Sequence, residues 1–299
     1  MKVTARQRVL SRTALIVLTL IWGYAFVVMK NTLNSIDTME LLSIRFLIAC
    51  IVPVIISGRR ILRLSRRAYI GAVLIGIATG FAYAVQNTGL KYTTPGKNAF
   101  LTAFYCIVTP FLCWAVYKKR PKPKNIIAAF ICVIGMGFVS LTGIEGNINI
   151  GDILSIAGGV CFALQIIIIE EYSEDGDIFS VTAIQFFVAA LTCIFLALVF
   201  KRPFTPVPRN AWPGILYLGF LSSTACNLLQ LYGQKYTPSA QASVIMALEA
   251  VFASIFSLIL GMESGSIIIY LGFALIFCSV LINELDITPD LKKKGNQHP

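Results

Sequence analysis

Two formal charges stand well inside apolar runs of this 299-residue chain, Arg45 and Glu249. A carboxylate among apolar residues is expensive unless it is neutralised, paired or used. Glu249 therefore suits three roles: carrying a proton, binding the ammonium group of a solute, or pairing with Arg45. Arg45 can hold an anionic group such as a solute carboxylate, or act as a structural or gating charge. It lies about 10 Å from the end of its run at 1.5 Å per residue, within snorkelling reach of the surface. Uncharged polar residues accompany the two at helical spacing. Thr79, Tyr83 and Gln86 fall at i, i+4 and i+7; Asn98, Thr102, Tyr105 and Thr109 extend that pattern to i+11, and Ser223, Asn227, Gln230 and Gln234 repeat it. Each set forms one stripe along a helix. Such stripes either bond helices together, at about 0.6 kcal/mol per contact, or line a wet cavity that holds a polar solute. Trp22 and Phe26, one turn apart, can form an aromatic wall of that cavity or pack as core. The candidate substrate-binding set is Trp22, Phe26, Tyr83, Gln86, Asn98, Tyr105, Gln165, Gln185, Asn227, Gln230 and Glu249, with Arg45 as the gating or structural charge.

Other chemistries lack their residues. The single histidine, His298, is in the tail, and the eight cysteines are scattered singly without a CxxC pair. That pattern gives no metal site, no cofactor site and no disulfide framework; the thiols are expected to pack between helices. A Walker-type phosphate loop is missing, so ATP does not drive this chain directly. A membrane-embedded enzyme acting on a lipid-linked substrate would need clustered His, Asp or Glu near an interface. A channel would need a carbonyl filter or a charged ring. Both remain as alternatives without a motif behind them. The net charge of +11 does not indicate nucleic acid, because the basic residues sit in short clusters between apolar runs, as loops facing an anionic leaflet do.

The elements that must position these residues are membrane spans. The chain is 57% hydrophobic and 13% charged, with a mean hydropathy of +0.79; a soluble domain carries roughly twice that charged fraction. Runs of crossing length, about 20 residues, fall at 13–33, 38–57, 69–90, 96–117, 125–142, 151–170, 179–200, 212–234, 238–261 and 267–285. The first is a span and not a cleaved signal, since Trp22-Gly23-Tyr24 interrupts it and no small-residue cleavage site follows. Eighteen of the 25 Lys and Arg residues fall on one side when the N-terminus is inside, which places both termini in the cytoplasm. One loop opposes this: Glu170, Glu171, Glu174, Asp175 and Asp177 follow the sixth span without a basic residue, though acids weigh little in the rule.

The second half repeats the first. Gly89-Leu-Lys91-Tyr92-Thr93 returns as Gly233-Gln-Lys235-Tyr236-Thr237 at an offset of 144 residues, and Ile44-Arg45-Phe46 returns as Ile184-Gln185-Phe186 at 140. Thr79, Tyr83 and Gln86 map onto Ser223, Asn227 and Gln230, so both halves present the same polar face; Glu249 maps onto Tyr105. A five-span unit repeated once is inverted, because five is odd, and inverted repeats suit alternating access about a midplane site. Gly76-xxx-Gly80, with Gly135, Gly137, Gly158 and Gly159, favours close helix packing.

With these residues the chain resembles the EamA-type transporters of the drug/metabolite transporter superfamily. The resemblance rests on Trp22-Gly23-Tyr-Ala-Phe26, Arg45-Phe46, Asn87-Thr-Gly89-Leu-Lys-Tyr-Thr93, Val108-Thr-Pro110 and Leu248-Glu249. It covers about residues 13–285. It departs at two positions: Ala250 replaces the proline the family often places after the span 9 glutamate, and Phe162 stands opposite Trp22 without an indole N–H. The resemblance implies ten helices in inverted five-helix repeats and a central cavity lined by helices 1–4 and 6–9. Helices 5 and 10 are then peripheral, and the setting is a bacterial inner membrane. The expected fold is thus all-α and integral to the membrane, with a cytoplasmic arm over 1–12, repeats over 13–142 and 151–285, and a cytoplasmic tail over 286–299. The expected function is export of small metabolites, amino acids or related polar or amphipathic solutes. The partners are the lipid bilayer and that solute, with protons as the candidate coupling ion.

Overall fold

The computed structural model describes residues 4–118, 120–141, 149–172, 176–202, 204–262 and 266–284. The tail, with His298, and the acids Glu174 and Asp175 lie outside them. Every regular element among the described residues is helical. In chain order these are α1 (Ala5–Thr32), α2 (Thr38–Ser57), α3 (Arg66–Leu90), α4 (Pro95–Thr102), α5 (Tyr105–Tyr117), α6 (Pro123–Leu141), α7 (Ile150–Tyr172) and α8 (Ile178–Val199). The remainder are α9 (Trp212–Leu216), a π-helical segment over Tyr217–Ala225, α10 (Cys226–Tyr236), α11 (Ser239–Met246), α12 (Leu248–Ile259) and α13 (Ile267–Glu284). Their starts follow from the sequence. Asp37, Ser65 and Asp177 accept backbone N–H groups at the heads of α2, α3 and α8, and Thr4 with Gln7 forms a reciprocal cap on α1. The arm expected over 1–12 is therefore helical from Ala5, with Ser11 already buried.

Eight stretches are long and apolar enough to cross a membrane: Ala5–Thr32, Thr38–Arg63, Arg66–Leu90, Pro95–Tyr117, Ile150–Tyr172, Ile178–Val199, Arg209–Tyr236 and Ser239–Ile259. Pro123–Phe138 and Tyr270–Ile282 are shorter apolar helices. Large apolar side chains such as Ile55, Phe195, Leu198 and Phe277 are exposed on the outside, where only a hydrocarbon solvent suits them. The molecule is a multi-pass membrane protein.

Small residues set the packing. A Cβ at Gly76 would meet the Gln185 carbonyl at 2.6 Å and one at Gly80 the Thr192 Cβ at 2.7 Å, so the Gly-xxx-Gly face of α3 lies directly on α8. In the same way a Cβ at Gly159 of α7 would run into the Thr102 carbonyl, and one at Gly135 of α6 would meet the Gly272 carbonyl of α13 at 2.8 Å. At one end of the bundle Arg67 pairs with Glu171 at 2.7 Å and Arg60 with Asp177 at 3.5 Å. Glu171 at the end of α7 and Asp177 at the head of α8 thus sit against basic residues that follow α2, at the same end. At the other end Lys91 pairs with Asp37 at 3.2 Å and Lys97 with Asp152 at 2.9 Å. There the Lys30 ammonium also donates to the carbonyls of Leu90, Lys91 and Thr93 at 2.8, 3.1 and 2.8 Å, closing the C-terminal end of α3.

Candidate functional site

Two interrupted helices meet at the centre. The helix that begins at Pro95 breaks at Ala103–Phe104, and the one that begins at Ser239 breaks at Ala247. Each break leaves its polar residue in the first turn of the helix that follows: Tyr105 in α5, Glu249 in α12. A helix N-terminus carries partial positive charge, so it is a favourable place for a carboxylate. The Tyr105 hydroxyl donates to Glu249 Oε1 at 2.9 Å, and both residues are buried. Among the described residues no hydrogen bond reaches the other carboxylate oxygen. The interruption at Ala247 arises without the proline that position 250 lacks.

Arg45 enters from α2, only 2% exposed. Its Nε donates to Ser223 Oγ at 2.7 Å and its Nη2 to Ser222 Oγ at 3.1 Å. The guanidinium carbon lies 4.6 Å from the Tyr83 ring centroid and 5.7 Å from that of Phe46, a cation–π setting. The serines come from the π-helical segment, a local widening that often marks a functional site. The same segment offers the Ser222 carbonyl to the Trp22 indole N–H at 2.9 Å, which fixes the aromatic wall. Arg45 and Glu249 make no ion pair with each other, nor with any other charged residue among those described. A buried guanidinium and a buried carboxyl group thus line one space without pairing with each other.

That space is a cavity of about 40 Å³ lined by Trp22, Ala25, Phe26, Met29, Arg45, Tyr83, Gln86, Asn87, Tyr105, Phe162, Gln165, Ile166, Ser222, Gln230, Met246 and Glu249. At about 10–15 Å³ per water it has room for roughly three waters. Of the expected set, Trp22, Phe26, Tyr83, Gln86, Tyr105, Gln165, Gln230 and Glu249 line it, together with Arg45. Asn227 lines a smaller adjoining recess of about 10 Å³ and accepts from Thr182 at 3.2 Å. Asn98 and Gln185 line neither. Asn98 donates to the Gln86 carbonyl and to Ser155 Oγ at 2.7 Å, and Gln185 donates to Thr79 Oγ1 at 3.2 Å; both act as helix-to-helix bonds. Ser222, Asn87, Phe162 and the two methionines are lining residues outside the expected set. The consecutive Ser222-Ser223-Thr224 in an apolar span was the available signal for the first.

An all-helical multi-pass protein whose broken helices meet at a cavity that holds an arginine, a glutamate and several amides among aromatic and apolar side chains has the make-up of a membrane transporter. Comparison with known proteins carries this to a family: the EamA-like transporter family matches twice in tandem, over residues 12–141 and 149–284, and the chain belongs to it. An uncharacterised transporter of Archaeoglobus fulgidus is 30% identical over 285 residues, covering 94% of this chain and 88% of the relative. The uncharacterised transporter YyaM of Bacillus subtilis is 25% identical over 268 residues, covering 84% and 88%. A solved crystal structure shares the fold with a TM-score of 0.77 at 14% identity, over 93% of this chain and 98% of that one.

Proposed function

We propose that this protein is a secondary transporter that exports small zwitterionic metabolites, amino acids or close relatives, by alternating access at the central cavity. The observation that carries the proposal is that a guanidinium and a carboxyl group, Arg45 and Glu249, line one small cavity with amide and aromatic neighbours while neither has an ion-pair partner among the described residues. A zwitterion supplies both missing partners at once, its carboxylate to Arg45 and its ammonium to Glu249. Glu249 is also the proton carrier. Its carboxylate is held either by a proton or by the solute ammonium, so each displaces the other and the two move in exchange.

The movement rests on an inverted repeat of ten spans, with halves over 13–142 and 151–285. Reciprocal contacts support it. Gly76 lies on the Gln185 carbonyl and Val188, while Gly219 lies on the Arg45 carbonyl and Ile48. Gly71 meets Tyr172 as Gly214 meets Thr32, and Gly89 meets the Gly151 carbonyl as Gly233 meets that of Ser11. Gln185 bonds Thr79 as Arg45 bonds Ser223. Every such exchange is what a two-fold axis between halves produces, and the contact of Tyr105 with Glu249, themselves equivalent positions, belongs on that axis. The offset is 143 at Gly71 and Gly76 and 144 from Thr79 onward. The second half carries one extra residue there, and the π-helical segment absorbs it. Both termini lie in the cytoplasm and the setting is the cell membrane. The distribution of Lys and Arg supports that orientation, as do the pairs of Asp177 with Arg60 and of Glu171 with Arg67.

Counterflow into proteoliposomes preloaded with a mixed amino-acid pool tests the proposal. Saturable uptake of labelled amino acid, dependent on the internal pool, is the expected result. Flux that rises linearly with concentration, or uptake equal to protein-free vesicles, overturns it.

A further inference from the structure

A second and larger space, about 420 Å³, opens between the ends of α3 and α8 where Lys91 and Asp37 pair. It is built in two levels. Its rim holds Lys91, Arg202, Asp37 and Tyr92, and its walls are Phe81, Val85, Leu154, Leu196 and Phe200. Lys201 in a left-handed conformation ends α8 and turns the chain, with the Arg202 N–H returning to the Ala197 carbonyl at 2.8 Å. The rim carries two cations against one carboxylate. Burial pushes the Asp37 carboxyl up, but the Met39 N–H, Lys91 and Arg202 together outweigh it and hold it below the ordinary carboxylate range. Asp37 therefore stays ionised and one positive charge remains in excess.

The walls run from buried Leu196 to residues that face outward. Phe81 and Phe200 are exposed, as is Tyr92 at the rim. Phe81 lies ten residues before Lys91 on the same helix, about 15 Å along its axis at 1.5 Å per residue, close to half of a hydrocarbon core of about 30 Å. The groove thus has charge at headgroup level and an apolar wall one monolayer deep. We propose that it is a binding site for an anionic phospholipid, with the phosphate between Lys91 and Arg202 and an acyl chain along Phe81, Val85, Leu196 and Phe200. A soluble anion would engage the rim alone, whereas one phospholipid molecule places its phosphate at the rim and its chain on the wall, so a lipid is the occupant to which both levels are complementary.

Native mass spectrometry of the detergent-purified protein tests this with phosphatidylglycerol, phosphatidylcholine and glycerol 3-phosphate as separate probes. Adducts with phosphatidylglycerol should exceed those with phosphatidylcholine about tenfold at equal concentration, and glycerol 3-phosphate should give none above background. Arg202→Gln leaves the Lys91–Asp37 pair intact and should cut the preference to about threefold; with Lys91→Gln added, the two lipids should bind alike. Equal binding of both lipids to the wild type, a preference that survives the double substitution, or glycerol 3-phosphate binding as well as the lipid would each overturn the proposal. Unchanged thermal unfolding of Arg202→Gln keeps a loss of preference separate from a loss of fold.

Discussion

Glu249→Gln is expected to lower amino-acid counterflow about a hundredfold or more while melting no lower than the wild type. The two halves of this expectation have one cause. Removing one partner of a buried, hydrogen-bonded charge pair costs about 2–5 kcal/mol of binding, and every 1.4 kcal/mol is a factor of ten. Without solute, however, Glu249 has the Tyr105 hydroxyl alone as hydrogen-bond partner among the described residues. In that state the proposed exchange leaves a proton on Glu249, and glutamine keeps the shape and accepts the same bond. Saturation counterflow and thermal unfolding of the same preparation check both halves. Lost flux with a much lower melting point would make Glu249 a structural residue. Retained flux at every external pH would remove it from both solute and proton binding.

Arg45→Gln is expected to abolish the discrimination between an amino acid and its methyl ester. In the wild type the ester lacks the group that Arg45 holds and should compete at least about thirtyfold more weakly, on the low end of about 2–5 kcal/mol for a buried charge pair. In the variant both should compete within about threefold of each other, each weakly. Arg45 also binds Ser222 and Ser223, so absolute flux falls on either a structural or a binding role. The ratio separates them. A variant that is slow but still prefers the free carboxylate leaves Arg45 as a brace for the π-helical segment. Combining Arg45→Gln with Glu249→Gln should transport no better than Arg45→Gln alone.

The spans and the polar faces were legible because lipid imposes them. An apolar run of twenty residues has few other uses, and a hydroxyl or amide on such a helix must turn inward. Periodicity gives the face of a helix but not its depth, which is why Asn98 falls in the right stripe and yet bonds helix to helix, as does Gln185, the repeat counterpart of Arg45. The interruptions at Ala103 and Ala247 were not legible. Alanine is the best helix former, so those breaks come from neighbours, among them Gly159 pressed on the Thr102 carbonyl. The π-helical segment likewise contains no proline and only one glycine, Gly219. Its trace was a one-residue change of repeat offset that becomes visible only when the contacts of Gly219 and Gly76 are compared. The contact of Tyr105 with Glu249 had a sequence sign. The two positions differ by the repeat offset, and equivalent positions can touch only at an axis.

The most direct test of a zwitterion site between Arg45 and Glu249 is equilibrium binding of a labelled amino acid to the purified protein, competed by three ligands. The unlabelled amino acid should displace the label. Its methyl ester, lacking the carboxylate, and its N-acetyl derivative, lacking the ammonium, should each be at least about thirtyfold weaker, by the same 2–5 kcal/mol cost of leaving one buried charge unpaired. Displacement by all three at similar concentrations would contradict the account, because a cavity indifferent to both charges does not use Arg45 and Glu249 to hold its solute.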